Sequence, residues 1–92
     1  MIVLRAVLTV IGKDTVGILA GVSNICAQSG ANITEVTQSI MHDLFAMIMM
    51  VDLSGTNCSF AELSGKLESY GEQNALSVRI MNEDIFNSMH RI

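Results

Sequence analysis

The residues best suited to chemistry lie in one stretch, Gly12 to Leu19, where an alternating apolar segment gives way to one of helical period. This change of period predicts a turn from a strand into a helix. Asp14 can accept hydrogen bonds from N–H groups that the first helical turn leaves unsatisfied, and Gly17 lacks a Cβ, so a ligand could approach the backbone closely. Free N–H groups and the helix dipole suit a carboxylate. An ordinary helix start, with Asp14 only as its cap, is the alternative.

Catalytic and metal sites have little support in the sequence. His42 and His90 fall in a predicted turn and in the tail, away from any recognisable nucleophile setting. Cys26 and Cys58 lie in different predicted helical regions, with no CxxC pattern and no nearby histidine, so neither zinc nor a disulfide is indicated. Both are predicted to be small buried hydrophobes. We therefore predict a protein that is not an enzyme and that holds no metal or cofactor.

Composition predicts one small domain spanning residues 1–92. Half of the residues are hydrophobic, 15% are charged and there is no proline, which is typical of a compact globular chain. The net charge of −4 is spread without a run of either sign, so neither nucleic acid nor an anionic membrane is an expected partner. No apolar stretch reaches the roughly 18 residues of a membrane span, and the start has no basic leader. A cytoplasmic location is the simplest expectation.

The first half of the chain predicts two strands around a helix. Residues 2–11 alternate as a strand with one fully apolar face. Apolar residues then recur at helical spacing over 16–29, and Gly30 stands where a left-handed cap would end the helix. Residues 31–41 are rich in β-branched types but break the strict alternation, which predicts a bulge near Glu35.

A third strand follows the polar pair His42-Asp43, which predicts a hairpin despite the missing glycine. The residues expected to face the core are Phe45, Met47, Met49, Val51 and Leu53. The opposite face of this strand is nearly as apolar. A sheet with one face exposed to solvent would carry polar residues there, so the pattern indicates that this face is covered as well.

The last part of the chain predicts a helix, a strand and a short tail helix. Ser59 followed three residues later by Glu62 is a capping-box pattern, and Gly71 is the predicted end of that helix. Residues 75–81 alternate as a fourth strand, and 83–91 have the composition of a short C-terminal helix. The buried stripe predicted for the second helix is Phe60, Leu63, Leu67 and Tyr70.

The resulting order is β-α-β-β-α-β with a C-terminal helix. This order predicts an α+β, ferredoxin-like fold: a four-stranded antiparallel sheet with two helices on one face. Unrelated activities share this plan, so the fold alone does not fix a function.

Two segments of the chain together resemble the ACT domain, a small regulatory module of amino-acid metabolism. They are Leu8 to Val22, which contains Asp14-x-x-Gly17-Ile18-Leu19 at the strand-to-helix junction, and Gly30-Ala31-Asn32-Ile33 at the start of the second strand. Nearly the whole chain fits. It is most similar to stand-alone bacterial and archaeal ACT proteins of uncharacterised role that are related to the glycine cleavage system transcriptional repressor.

This resemblance implies an amino-acid site between two copies of the chain. ACT domains commonly pair side by side or face to face, and the ligand contacts the first loop of one subunit and the start of strand two of the other. Some serine-binding members have a histidine and an asparagine where this chain has Gly12 and Asp14. Asp14 would then hold the α-ammonium group and backbone N–H groups near Gly17 the carboxylate. The implied site residues are Asp14, Thr15, Val16, Gly17, Ile18, Asn32 and Ile33.

The apolar residues on the sheet face away from the helices predict a homodimer. Their area is too large and continuous to be exposed to solvent on a soluble monomer, and a tail helix of eight or nine residues cannot cover it. The residues are Val3, Val7 and Ile11 of strand one and Leu44, Ala46, Ile48 and Met50 of strand three. The sequence leaves two functions open: a regulator that senses an amino acid, and a dimerisation or docking module without a small-molecule ligand.

Overall fold

A computed structural model describes residues 5–13 and 17–84, apart from the side chain of Met41. Four strands and two helices follow one another in the predicted order. The strands are β1 Arg5–Lys13, β2 Asn32–Met41, β3 Leu44–Asp52 and β4 Leu76–Asn82, and the helices are α1 Ile18–Gln28 and α2 Phe60–Gln73. Neither helix is long and apolar enough to cross a bilayer.

The four strands form one antiparallel sheet in the order β2-β3-β1-β4. β2 and β4 are its edges, and the register of β2 against β3 shifts between Ile33 and Glu35. This shift confirms the bulge predicted near Glu35. The ferredoxin-like fold predicted from the sequence is likewise confirmed.

The core lies between the sheet and the two helices. The residues predicted to face the core from β3 are all buried, and so are Leu63 and Leu67 of α2, while Phe60 and Tyr70 pack against the core at its margin. The core residues contributed by β1, β4 and α1 are Ala6, Leu8, Val10, Leu76, Val78, Ile80, Ile18, Val22 and Cys26. Val7, on the opposite face of β1, is also buried, so the prediction that it lies exposed on that face is wrong. Alternation in the strands and helical spacing in the helices therefore predicted the core.

Helix α1 ends at the predicted glycine. Gly30 has a φ of +76°, and the N–H of Ala31 donates to the carbonyl of Cys26 at 2.8 Å while the N–H of Gly30 donates to Ala27 at 3.1 Å. These two bonds form a Schellman motif, which satisfies carbonyls that the helix end would leave open. A Cβ at this position would lie 2.4 Å from the carbonyl oxygen of Gly55, so the loop after β3 packs directly on this turn.

Helix α2 begins as predicted but ends later. The hydroxyl of Ser59 accepts from the N–H of Glu62, and the Glu62 carboxylate accepts from the N–H of Ser59, so both halves of the capping box are present. The prediction that Gly71 ends the helix is wrong, because the helix continues to Gln73. Gly71 is instead buried where α2 crosses β4, and a Cβ there would lie 2.7 Å from the carbonyl oxygen of Leu76.

The predicted hairpin between β2 and β3 forms without a glycine in its turn. His42 takes a φ of +58°, so it supplies the left-handed conformation that a tight hairpin turn requires and that glycine usually provides. Of the span predicted for a short C-terminal helix, only Glu83 and Asp84 lie within the described residues, and both are helical; the remainder lies outside the described residues.

Candidate functional site

The N-terminus of α1 is open to solvent at Gly17. This glycine is the N-cap, has a φ of +88°, is exposed, and an added Cβ would have no atom within 4 Å. The backbone here is therefore left-handed and unobstructed, which favours glycine. The predicted site residues Asp14, Thr15 and Val16 lie outside the described residues.

The first turn of α1 presents unsatisfied donors. No side-chain hydrogen bond caps the turn from the described residues, and the turn contains no acidic side chain. The first intrahelical bond is that from the N–H of Gly21 to the carbonyl of Gly17, at 2.9 Å. The N–H groups of the preceding residues therefore have no acceptor within the helix, and the helix dipole adds positive potential around them. This end of α1 can accept an anion such as a carboxylate.

The structure changes the roles of the predicted loop residues. The side chain of Ile18 is 3% exposed and lies in the core, so this residue can offer a ligand only its backbone N–H. The sequence prediction omitted Leu19 and Ala20, whose N–H groups belong to the same first turn. No acidic residue stands from 17 to 20, so the first turn itself supplies no carboxylate for these groups.

The second half of the predicted site lies on an edge of the sheet. Asn32 is exposed at the start of the edge strand β2, whereas Ile33 is half-buried and packs against the core. Asn32 is the register partner of Asp52, which in turn is the partner of Arg5. Asn32 thus presents a polar side chain to anything that approaches this edge.

The structure does not bring the two halves together within one chain. Asn32 lies at the end of the sheet where β1 begins with Arg5, and Gly17 follows the other end, where β1 finishes at Lys13. The nine residues of β1 span about 27 Å, so a single amino acid cannot contact both ends. A site that includes Gly17 and Asn32 therefore needs two copies of the chain.

The sheet end that carries Asn32 is also the charged end. Arg5 forms an ion pair with Glu83, and this carboxylate raises the pKa of the guanidinium. The carboxylate of Asp52 accepts a hydrogen bond from the backbone N–H of Ser54 at 2.8 Å, which lowers the pKa of Asp52. Charge at this end is thus balanced locally, whereas the α1 end offers N–H groups that no described side chain caps.

The described part of the chain offers no group of three or more potential ligands for a metal. Cys26 is fully buried, and burial raises the pKa of its thiol, so it is a poor nucleophile. Cys58 is half-buried and packs at the margin of the core. The prediction of Cys26 as a small buried hydrophobe is confirmed.

Comparison with known proteins identifies the family. The ACT domain model matches residues 5–81. A UPF0237 protein of Methanocaldococcus jannaschii is 49% identical over 88 residues, which are 96% of this chain and 98% of that protein. A UPF0237 protein of Clostridium acetobutylicum is 46% identical over 97% of this chain and 100% of that protein. The chain therefore belongs to the ACT domain family and, within it, to the same family as these UPF0237 proteins.

Solved structures agree with this assignment. An ACT domain protein from Streptococcus pneumoniae superposes with a TM-score of 0.78 at 33% identity, over 92% of this chain and 96% of that one. A protein described as a candidate glycine cleavage system transcriptional repressor superposes with a TM-score of 0.74, over 85% of this chain and 44% of that one. Its 23% identity shows a common fold only. ACT domains are typically regulatory modules that bind small molecules.

Proposed function

We propose that this protein is a regulatory module that senses an amino acid, or a metabolite of similar chemistry, at a site built from two copies of the chain. The observation that carries the proposal is the open N-terminus of α1 at Gly17, with donors that no described side chain caps. The first turn holds the ligand carboxylate through its N–H groups, as helix N-termini hold anions elsewhere. Asp14 holds the α-ammonium group of the ligand, and Thr15, Val16 and Ile18 complete the loop.

A second copy supplies Asn32 and Ile33. The support for this step is the distance of about 27 Å between the two ends of the sheet, which excludes a one-chain site. β2 is an edge strand, so its outer hydrogen-bonding groups and the side chain of Asn32 are accessible to another chain. Ligand binding and assembly are therefore coupled: a ligand that bridges the two copies stabilises their contact, and weaker assembly lowers ligand affinity.

A thermal-shift screen against the twenty amino acids, including glycine, tests the proposal. A ligand that binds only the folded state raises the melting temperature by mass action, by an amount that grows with its concentration. We expect a concentration-dependent rise with one amino acid or a few related ones. If none of the twenty raises the melting temperature, the sensing role is contradicted and the dimerisation or docking module remains.

Two variants then assign the contacts. Asp14→Ala should abolish the shift, because the ammonium group loses its counter-charge. Asp43→Ala is the matched control, since Asp43 is exposed in the β2–β3 turn at the same end of the sheet. An unchanged shift in Asp14→Ala would remove Asp14 from the site.

A further inference from the structure

A groove lies between α2 and the outer edge of β4, and it is called the β4 groove below. Only Asn74 and Ala75 connect the helix to the strand, and Ala75 takes a φ of +55°, so α2 folds back directly along β4. Gly71 allows a close crossing, because a Cβ there would lie 2.9 Å from a Val78 methyl group. The β4 groove has a volume of about 170 Å³, which suits the side chains of an extended segment and excludes a folded element. Its lining residues are Glu68, Glu72, Leu76, Ser77, Val78 and Arg79.

The outer edge of β4 has no partner strand among the described residues. β4 pairs with β1 on one side and stands last in the order β2-β3-β1-β4. Alternate residues of such an edge strand direct their N–H and C=O groups away from the sheet, where a further strand pairs with them. Four consecutive residues of β4, 76–79, line the groove, so a chain lying in it runs beside these groups. The amino-acid site proposed above uses β2, the opposite edge, and leaves this one open.

Two carboxylates form the helix side of the β4 groove. Glu68 and Glu72 are four residues apart on α2, so they lie one turn apart on the same side of the helix. Both are exposed, and neither forms an ion pair with a described residue. Arg79 lines the same groove and likewise forms no ion pair with a described residue. The groove therefore presents negative charge from α2 and positive charge from β4 that are not in direct contact with each other.

The strand register decides which charges an added strand would meet. Val78 is the partner of Val10 and belongs to the core, whereas Arg79 is the partner of Thr9 and lies on the sheet face away from the helices. Residues opposite each other in a sheet share a face, and neighbours along a strand alternate between faces. On a strand added to β4, the residue opposite Arg79 therefore lies beside a guanidinium, and the residues on either side of it face α2. The matching sequence has a basic, an acidic and a basic residue in succession.

We propose that the β4 groove binds an extended segment of another protein, which adds to the sheet beside β4 with lysine or arginine facing Glu68 and Glu72 and with an acidic residue beside Arg79. Backbone hydrogen bonds supply the affinity of such a contact, and alternate side chains supply its specificity. The β4 groove provides both, since an edge strand forms one side of it and a charged helix face forms the other. The partner is thus recognised by its extended conformation and by the order of its charges.

A second copy of this chain does not satisfy the β4 groove. Two β4 edges paired with each other bring the two α2 helices side by side, with Glu68 and Glu72 on both sides of the seam. Like charges that face each other across a contact oppose association. A basic segment of another protein replaces this repulsion by attraction.

Three synthetic heptapeptides, each acetylated and amidated, test the proposed order of charges. The matching peptide is Thr-Val-Lys-Glu-Lys-Val-Thr, and the swapped peptide is Thr-Val-Glu-Lys-Glu-Val-Thr. The same-face peptide, Thr-Lys-Val-Glu-Val-Lys-Thr, has the composition and net charge of the matching peptide but places all three charges on one face of a strand. Each is titrated into the protein and followed by amide NMR. The matching peptide should bind at least about fivefold more tightly than either of the others.

Charge reversal on α2 tests the helix side of the groove. Glu68→Lys and Glu72→Lys should each raise the dissociation constant of the matching peptide about fivefold and lower that of the swapped peptide. Asp43→Lys is the matched control, because it makes the same change of charge in the exposed turn between β2 and β3, at the opposite edge of the sheet. It should change the dissociation constant less than about twofold. Far-ultraviolet circular dichroism and urea midpoints check that each variant is folded.

The position of the bound peptide is the remaining readout. Amide shifts and slower hydrogen exchange should concentrate on β4 and on the side of α2 that carries Glu68 and Glu72. Equal binding of the matching and same-face peptides, shifts centred on β2, or no binding at millimolar peptide would overturn the proposal. The thermal shift with an amino acid should persist in Glu68→Lys and Glu72→Lys, because neither residue belongs to the proposed amino-acid site. Failure of the strand-addition proposal therefore leaves the sensing proposal intact, and the reverse also holds.

Discussion

Gly17 and Asn32 lie at opposite ends of the sheet, although both belong to the ligand site that the ACT resemblance implies. Asn32 is tied by register to Asp52 and Arg5, whereas Gly17 follows the far end of β1. In the site proposed above, each copy therefore carries two half-sites that it cannot join by itself. The proposal links sensing to assembly for this reason.

Replacing two glycines of α2, Gly71 and Gly65, by alanine should change the free energy of unfolding in opposite directions. Gly71→Ala should destabilise the fold by about 1 to 3 kcal/mol, because the new Cβ meets the Leu76 carbonyl oxygen at 2.7 Å and a Val78 methyl at 2.9 Å. Gly65→Ala should stabilise it by about 1 kcal/mol, because the added Cβ has no atom within 4 Å and alanine favours helix. Urea unfolding at one fixed protein concentration measures both. Equal effects of the two changes would contradict the close packing of Gly71 on β4.

Ala75, the second residue after α2, offers a stabilising change. Ala75 has a φ of +55°, which is strained for alanine, so Ala75→Gly should raise the free energy of unfolding by about 0.5 to 1 kcal/mol. Ala61→Gly, at an exposed position inside α2, is the matched control and should lower it by about 0.5 to 1 kcal/mol. Loss of stability in both variants would show that Ala75 does not occupy the left-handed conformation.

Replacing Ser29, at the end of α1, and Ser59, at the start of α2, by alanine should have different effects on stability. The Ser29 hydroxyl is fully buried and finds no hydrogen-bond partner among the described residues, so Ser29→Ala should cost nothing or gain up to about 1 kcal/mol. Ser59→Ala removes the capping box and should cost about 1 kcal/mol. Urea midpoints compare the two directly, and a larger loss in Ser29→Ala would mean that its hydroxyl is satisfied in solution.

The Asp52 carboxylate should make stability depend on acid pH. Its pKa is lowered in the folded protein, chiefly by the N–H of Ser54 and further by the Ser54 side chain and Arg5. Such a group stabilises the fold above its unfolded pKa, and this contribution is lost as the pH falls from near the ordinary carboxyl pKa of 3.8 through the lower folded pKa. Asp52→Asn should therefore melt below the wild type at pH 7, with the gap closing in acid. A gap that persists unchanged at pH 2 would contradict this cause, and Asp43→Asn in the exposed turn is the control.

The parts of the fold that sequence predicted are those set by local chemistry. The faces of β1, β3 and β4 follow from alternation, and Ser59, Glu62 and Gly30 carry cap signals whose geometry is local. Gly71 was misread because a glycine can end a helix or permit a close crossing, and only the position of β4 decides between them. Ala75 was missed because nothing in an alanine signals a left-handed backbone. The two half-sites stay a prediction from the family resemblance, and their separation appears only once strand register fixes which ends of the sheet they occupy.

A subunit-mixing experiment tests the two-chain site most directly. Asp14→Ala and Asn32→Ala each break a different half-site, so neither variant alone should bind the amino acid found in the screen. Denatured together and refolded, the two form mixed dimers in which one site joins two intact halves; with random pairing, about a quarter of the wild-type binding capacity should return. Isothermal titration of the refolded mixture, against each variant refolded alone, gives that capacity. A mixture that binds no more than the separate variants would contradict a site shared between two copies.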